Sequence, residues 1–240
     1  MLSTIARSRV LVAFDFDGTL APIVADRETA RMHDSTSALF AEVCELYPCA
    51  VISGRGRQDV SDRLGAAPVA YVVGNHGLEP SPRLETFERD MLAARNALEI
   101  ALTDVAGIDV EDKRYSLALH YRRSKTRRTA RATILAAVAA LPTRTRVVPG
   151  KLVINVLPEH APNKGDALLA LRTTARVEAA VYFGDDQTDE DVFMLHQPGR
   201  LWSVRVGKSN TSAATYFLRD QREMDRLLGR LVALRQRRDS

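Results

Sequence analysis

Up to Pro80 the chain alternates short unbroken apolar runs with stretches whose apolar residues recur at three- and four-residue spacing, as in strands joined by crossover helices. RVLVAFDF is apolar at nearly every position, which predicts a central strand of a parallel sheet covered on both faces. Asp34 is placed to cap a helix carrying Leu39, Val43, Leu46 and Tyr47, and Pro48 ends it. CAVISG predicts a second strand, QDVSDRLG a helix and AYVVGNHG a third strand, after which Pro80 and Pro82 mark a boundary.

Beyond that boundary the period changes. Phe87, Met91, Leu98, Leu102 and Val105 predict one long helix, and IDVEDK and YSLALHYR then read as paired strands. The same order repeats: TRRTARATILAAVAAL is helical, and TRVVPGKLVINVLP predicts two strands turning near Pro149 and Gly150. Helix, strand, strand, twice over, makes an α+β unit with an antiparallel sheet.

After Pro162 the first pattern resumes, with NKGDALLALRTTAR a helix, AAVYFGDD a strand, TDEDVFMLH a helix and LWSVRVG a strand. A closing amphipathic helix, QREMDRLLGRLVALRQR, sets Met224, Leu227, Leu228 and Leu231 on one side. The fold class is therefore α/β: a Rossmann-like parallel-sheet core formed by residues 1–81 and 162–240, interrupted by an α+β domain over residues 82–161.

Composition narrows the setting. A chain of 240 residues can bury a sizeable core. No apolar run is long enough for a signal peptide or a membrane span, so a cytoplasmic protein without a membrane partner is expected. Cys44 and Cys49 lack zinc-site spacing and read as buried thiols. The net charge of +4 is modest, but cations crowd between Lys113 and Arg131. That segment reads as a solvated helix start or a surface for a small anion; with only Tyr121 nearby for base stacking, no nucleic-acid partner is expected.

Ligands of doubly wound sheets bind beyond the carboxyl ends of the strands, where Asp15, Ser53, Asn75 and Asp185 all fall. Three carboxylates there, Asp15, Asp17 and Asp185, repel unless a cation sits among them. With oxygen ligands alone on offer, that cation is a hard one such as magnesium. Ser53 can donate to a phosphoryl oxygen, Lys164 can neutralise it, and the backbone N–H groups at Gly18 and Thr19 can cradle it. Asp15 is then the candidate nucleophile, and Asp17 the acid and base that protonates the leaving oxygen and deprotonates water. A single aspartate at a strand end serves equally well as a turn former; four motifs in order turn the reading to catalysis.

Those motifs, DFDGT, ISGR, NKG and GDDQTDE, resemble the four motifs of the haloacid dehalogenase superfamily of phosphatases. More narrowly, DGTLAPI, NHGLE, EDKRYSLALHYR and GKLVINVLP resemble trehalose-6-phosphate phosphatases along nearly the whole chain. The resemblance implies a core of that superfamily with a cap domain inserted after the third strand, closing over a phosphorylated sugar. It implies Asp15 as nucleophile, Asp17 as general acid and base, Ser53 and Lys164 as phosphate binders, and magnesium held by Asp15, the Asp17 main-chain carbonyl and Asp185. Asp186 and Asp189 would stand behind those ligands, near Lys164 or a water at the metal, or else cap the following helix.

Arg55, Asn75, His76 and Gly77 are expected near the cap interface, His76 being equally readable as a packed side chain. In the cap, Lys113, His120, Arg122 and Lys151 occupy positions that face the sugar in the family, the alternative being surface charge. Asn155 stands where the family pattern has a sugar-binding glutamate, so the sugar is open. The expected activity is magnesium-dependent hydrolysis of trehalose 6-phosphate by a monomer or weak dimer. The alternatives are the same chemistry on sucrose 6-phosphate or mannosyl-3-phosphoglycerate, and a non-catalytic polyanion-binding module.

Overall fold

The computed structural model describes residues 1–150 and 152–239, the side chains of 238 and 239 excepted. It divides into two compact units, Met1–Gly77 with Asn163–Ser240, and Leu78–Pro162.

In chain order that unit contains α1 (Leu2–Arg7), β1 (Val10–Phe14), α2 (Asp34–Leu46), β2 (Cys49–Ile52), α3 (Arg57–Leu64) and β3 (Tyr71–Val73). The second unit supplies α4 (Leu84–Ala101), β4 (Asp109–Asp112), β5 (Leu117–His120), α5 (Arg127–Ala139), β6 (Thr145–Gly150) and β7 (Val153–Pro158). The chain then returns to the first unit with α6 (Lys164–Thr174), β8 (Ala179–Gly184), α7 (Glu190–Phe193), β9 (Leu201–Val206), β10 (Tyr216–Leu218) and α8 (Met224–Asp239).

The first unit holds a six-stranded sheet in the order β10-β9-β8-β1-β2-β3, parallel throughout. β1 is buried at every position because its alternate side chains enter two different cores. Val10, Val12 and Phe14 join Phe40, Val43, Met224, Leu228 and Leu231 on one face, while Leu11 and Ala13 join Leu168, Tyr182 and Phe193 on the other. Phe14 meets Phe40 edge-on at 5.4 Å and stacks on Phe183 at 5.0 Å, contacts worth about 0.5–1.5 kcal/mol each beyond burial. No helix among the described residues is long and apolar enough to cross a membrane.

The second unit is an antiparallel sheet in the order β4-β5-β7-β6. Leu117, Leu119, Ile154 and Val156 pack with Met91, Leu98, Ile134 and Val138 of α4 and α5, so the helices cover one face of this sheet.

Several elements depart from the sequence pattern. Pro149 and Gly150 lie inside β6, paired with Ile154 and Val153, so the reversal follows Gly150 and Leu152 takes the left-handed conformation at φ +62°. TDEDVFMLH forms a 3₁₀ turn, Gln187–Asp189, and only the short α7, because Asp189 is drawn into the sheet edge by hydrogen bonds described below. α1 and the edge strand β10 carry no distinctive periodicity over their few residues.

Candidate active site

The turn after β1 begins with the Asp15 N–H donating to Phe183 O at 2.8 Å, which extends the β1–β8 ladder and leaves the Asp15 side chain at the carboxyl end of the sheet. Gly18 then adopts φ +84°, and a Cβ there would lie 2.1 Å from Oδ2 of Asp185. Only glycine meets both demands. Its N–H donates to Ala21 O at 2.7 Å and that of Thr19 to Phe16 O at 3.3 Å, so these two amides close the turn instead of facing outward as a phosphate cradle. Thr19 is fully buried and its hydroxyl has no hydrogen-bond partner.

Asp15, Asp185 and Asp189 each offer an oxygen within 4.8 Å of the others. Lys164, the first residue of α6 and 1% exposed, enters this group: its Nζ lies 3.1 Å from Asp15 Oδ1 and 2.8 Å from Asp189 Oδ1. Asn163 fixes that helix start by a reciprocal capping box, its Oδ1 accepting from Asp166 N at 2.9 Å and its own N–H donating to Asp166 Oδ2 at 3.0 Å. Asp189 is held from three directions, by Lys164, by the Tyr182 hydroxyl at 2.7 Å and by the Asp186 N–H at 2.9 Å.

Ionised together, three carboxylates against one ammonium would leave two negative charges in a buried site. Burial, opposed by the Lys164 charge and aided by those of Asp189 and Asp17, pushes Asp15 up to about 8. Burial with the Asp15 and Asp189 charges pushes Asp185 up to about 9. Burial disfavours the Lys164 ammonium, but Asp15 and Asp189 outweigh it and hold its pKa above the ordinary lysine value. Oδ1 of Asp185 is buried without a hydrogen-bond partner. An all-oxygen donor set, a deficit of two charges and an unpartnered oxygen fit a hard divalent cation.

Ser53 follows β2 and is fully buried, its Oγ accepting from Arg55 N at 3.1 Å. The NHG segment after β3 is bonded back to this turn, His76 N to Ser53 O at 2.9 Å and Asn75 N to Arg55 O at 2.7 Å. Asn75 and His76 both take positive φ, +49° and +59°, and are buried. Gly77, at φ +111°, passes so close to Asn163 that a Cβ would stand 2.3 Å from its carbonyl oxygen, which brings the NHG turn against the NKG turn.

The Arg55 side chain grips Asp17, Nε to Oδ2 at 2.7 Å and Nη2 to Oδ1 at 2.8 Å, a placement the motif spacing did not reveal. Tyr182, on β8 just before Asp185, was likewise missed; its place in the apolar run AAVYFG marks only a core position. Asp186 contributes its main chain to the group, through the bond to Asp189 and a carbonyl that accepts from Arg205 Nη1 at 3.2 Å.

In the second unit, Glu111, Ala118 and Asn155 lie opposite one another across β4, β5 and β7, on the sheet face away from the helices. His120 Nε2 is 2.8 Å from Glu111 Oε2. Glu111 was missed by sequence reasoning, although it alternates with Lys113. Asn155 is 6% exposed and its Nδ2 donates to Val148 O at 3.2 Å, which leaves Oδ1 and the second Nδ2 hydrogen to offer a ligand. Lys113 lies just past β4, its N–H bonded to Ser116 O at 2.9 Å, and Arg122 is exposed after β5. Lys151 lies outside the described residues.

The trehalose-phosphatase family model matches residues 13–222. A probable trehalose-phosphate phosphatase 4 of Oryza sativa subsp. japonica is 31% identical over 98% of this chain and 69% of its own length. A trehalose-phosphate phosphatase of Mycobacterium avium is 34% identical over 81% of this chain, which spans only 53% of that protein. The C-terminal domain of the trehalose-6-phosphate phosphatase of C. albicans shares the fold, with a TM-score of 0.80 at 22% identity over 97% of this chain and 95% of that one. Matched over most of its length and carrying the buried carboxylate–lysine group at its sheet edge, the chain belongs to the trehalose-phosphatase family.

Proposed function

We propose that this chain hydrolyses trehalose 6-phosphate to trehalose and phosphate through an aspartyl phosphate on Asp15, with magnesium as the cation. The observation that carries this reading is the single ammonium of Lys164 set between Asp15 and Asp189 in a site short of two positive charges. Such a site has little use as a structural element and is suited to receiving a cation together with a phosphoryl group. Asp15, the Asp17 carbonyl and Asp185 would hold the magnesium, which supplies charge neutralisation between the phosphoryl oxygens and the carboxylates.

In the first step an Asp15 oxygen attacks phosphorus and the bond to the sugar oxygen breaks, with Asp17 giving that oxygen its proton. Lys164 and Ser53 hold the phosphoryl oxygens while the group transfers. In the second step water attacks phosphorus, Asp17 takes its proton, and the electron pair of the breaking P–O bond returns to Asp15. Recognition of the sugar falls to the inserted unit, to Lys113, His120, Arg122, Lys151 and Asn155. With one Nδ2 hydrogen given to Val148, Asn155 keeps an oxygen acceptor, as the family glutamate would, beside one remaining donor.

Phosphate release measured across trehalose 6-phosphate, sucrose 6-phosphate and mannosyl-3-phosphoglycerate, with magnesium and with excess chelator, tests the reading. Magnesium-dependent turnover favouring trehalose 6-phosphate is expected. Turnover favouring another sugar overturns the substrate, and full turnover in chelator overturns the cation.

A further inference from the structure

Arg55, Asp59 and Arg63 recur at intervals of four, so that opposite charges stand in one row along α3 and the two residues before it. Alternating charge on a helix is commonly a solvated surface feature. Here the row ends on Asp17, which receives both its bonds from one guanidinium, in a fork that matches carboxylate geometry. The same guanidinium donates from Nη1 to Asp59 Oδ2 at 2.9 Å and from Nη2 to Arg27 O at 2.8 Å, and lies 5.9 Å from the centre of the Phe16 ring.

The next rung repeats the pattern. Arg63 Nε donates to Asp59 Oδ1 at 2.7 Å, and its Nη1 donates to the carbonyls of Glu28 at 3.0 Å and Ala30 at 2.8 Å. Asp59 therefore spends one oxygen on each arginine, and the far end of the row is tied to main chain, which moves less than a side chain. Both arginines are well covered, 8% and 14% exposed at the side chain, whereas Asp17 at 38% is open to solvent. A carboxylate that exposed would sample several rotamers if nothing held it.

We propose that Asp59 and Arg63 are positioning residues for the reaction: they lock the Arg55 fork, and through it the Asp17 carboxylate, in the geometry that accepts a proton from attacking water. The proposal rests on the phosphatase reading above. Asp17 has two tasks of opposite direction, and the arrangement seen here suits only the second. Both of its oxygens accept from the Arg55 fork. Serving as the donor to the leaving sugar requires one of those bonds to open; serving as the acceptor does not. In the step the row favours, water forms a new bond to phosphorus, the bond from phosphorus to the Asp15 oxygen breaks with its electron pair returning to Asp15, and the water proton passes to Asp17. Loosening the row should therefore slow aspartyl-phosphate breakdown more than its formation.

The test uses Asp59→Asn and Arg63→Met, which touch neither the phosphate site nor the clustered carboxylates. In each, kcat on trehalose 6-phosphate is expected to fall about tenfold with KM within about twofold, and acid-quenched enzyme should retain a larger phosphorylated fraction in steady state. Asp59→Glu, which restores the charge, should recover part of the loss. The decisive measurement is a double-mutant cycle with Asp17→Asn, read on an aryl phosphate whose leaving group needs no acid. If the row acts through Asp17, adding Asp59→Asn to Asp17→Asn changes the rate by less than about twofold. Equal losses in both backgrounds, or a loss confined to KM or to thermal stability, would overturn the proposal. Wild-type enzyme without phosphatase activity would instead remove the reading on which it stands.

Discussion

Gly18 and Asp185, far apart in the sequence, pack so closely that a methyl group on the glycine would stand 2.1 Å from a carboxylate oxygen of the aspartate. The turn that follows Asp15 and the carboxylate that follows β8 are shaped against each other. Adding a Cβ at φ +84° strains the backbone and displaces Asp185 at once.

Gly18→Ala should therefore lower kcat/KM by about 100-fold or more and raise the magnesium concentration needed for half-maximal activity. A steady-state titration with magnesium checks both. Wild-type magnesium dependence in this variant would show that Asp185 can be displaced without consequence.

Lys164→Met removes the ammonium from between Asp15 and Asp189 while keeping much of the side-chain volume. Leaving two buried carboxylates without their cation should cost about 3–5 kcal/mol of stability, read as a lowered midpoint in urea, and abolish measurable turnover. Adding Asp189→Asn to that variant should return part of the stability and none of the activity, because the uncompensated charge is reduced but the phosphate still lacks its partner.

The cation and protons compete for the same oxygens. Asp15 and Asp185, at about 8 and about 9 without a cation, sit well above the ordinary aspartate range, so the fold favours their protonated forms. The cation-free protein should consequently lose stability as pH rises from about 4 towards these values, since the unfolded chain gives up its protons first. Magnesium binding should release protons and tighten from pH 6.5 to pH 8, by up to about tenfold per pH unit for each proton displaced. Calorimetry in buffers of different ionisation enthalpy measures the release; a pH-independent affinity with none would contradict this account.

Asn155→Glu places a charge at a position that is 6% exposed and loses the donor to Val148 O. Its melting temperature should drop by a few degrees, the loss of one hydrogen bond being worth about 0.5–1.5 kcal/mol. kcat/KM on trehalose 6-phosphate should nonetheless hold or improve, because a carboxylate accepts from sugar hydroxyls more strongly than an amide does. A loss of about tenfold or more would mean that the pocket is built around the amide, and would move another sugar phosphate to the front.

Local order was legible wherever burial imposes a period. The unbroken apolar run of β1 and the three-and-four spacing of α4 and α8 could be read directly, since each is the imprint of a face that must be covered. The short α7 and the three-residue β10 could not, because so few residues carry no period and their conformation follows from neighbours. The reversal after Gly150 was misplaced by two residues because Pro149 and Gly150 have the composition of a turn, while the pairing of β6 with β7 draws both into the strand.

For the site, the chain by itself determined which chemistry-bearing residues end which strands: Asp15 after β1, Ser53 after β2 and Asp185 after β8 follow from local pattern alone. Tertiary structure decided which of them meet. β1 lies between β8 and β2, so Asp15 has Asp185 on one side and the Ser53 turn on the other, an adjacency set by sheet order and not by sequence distance. It also decided that Arg55 holds Asp17, that Asp59 and Arg63 brace it, and that Tyr182 reaches Asp189. Hydrogen bonds of a few ångströms depend on where side chains from separate elements come to rest, and burial sets how strongly those charges act on one another, neither of which is written in the spacing of residues along the chain.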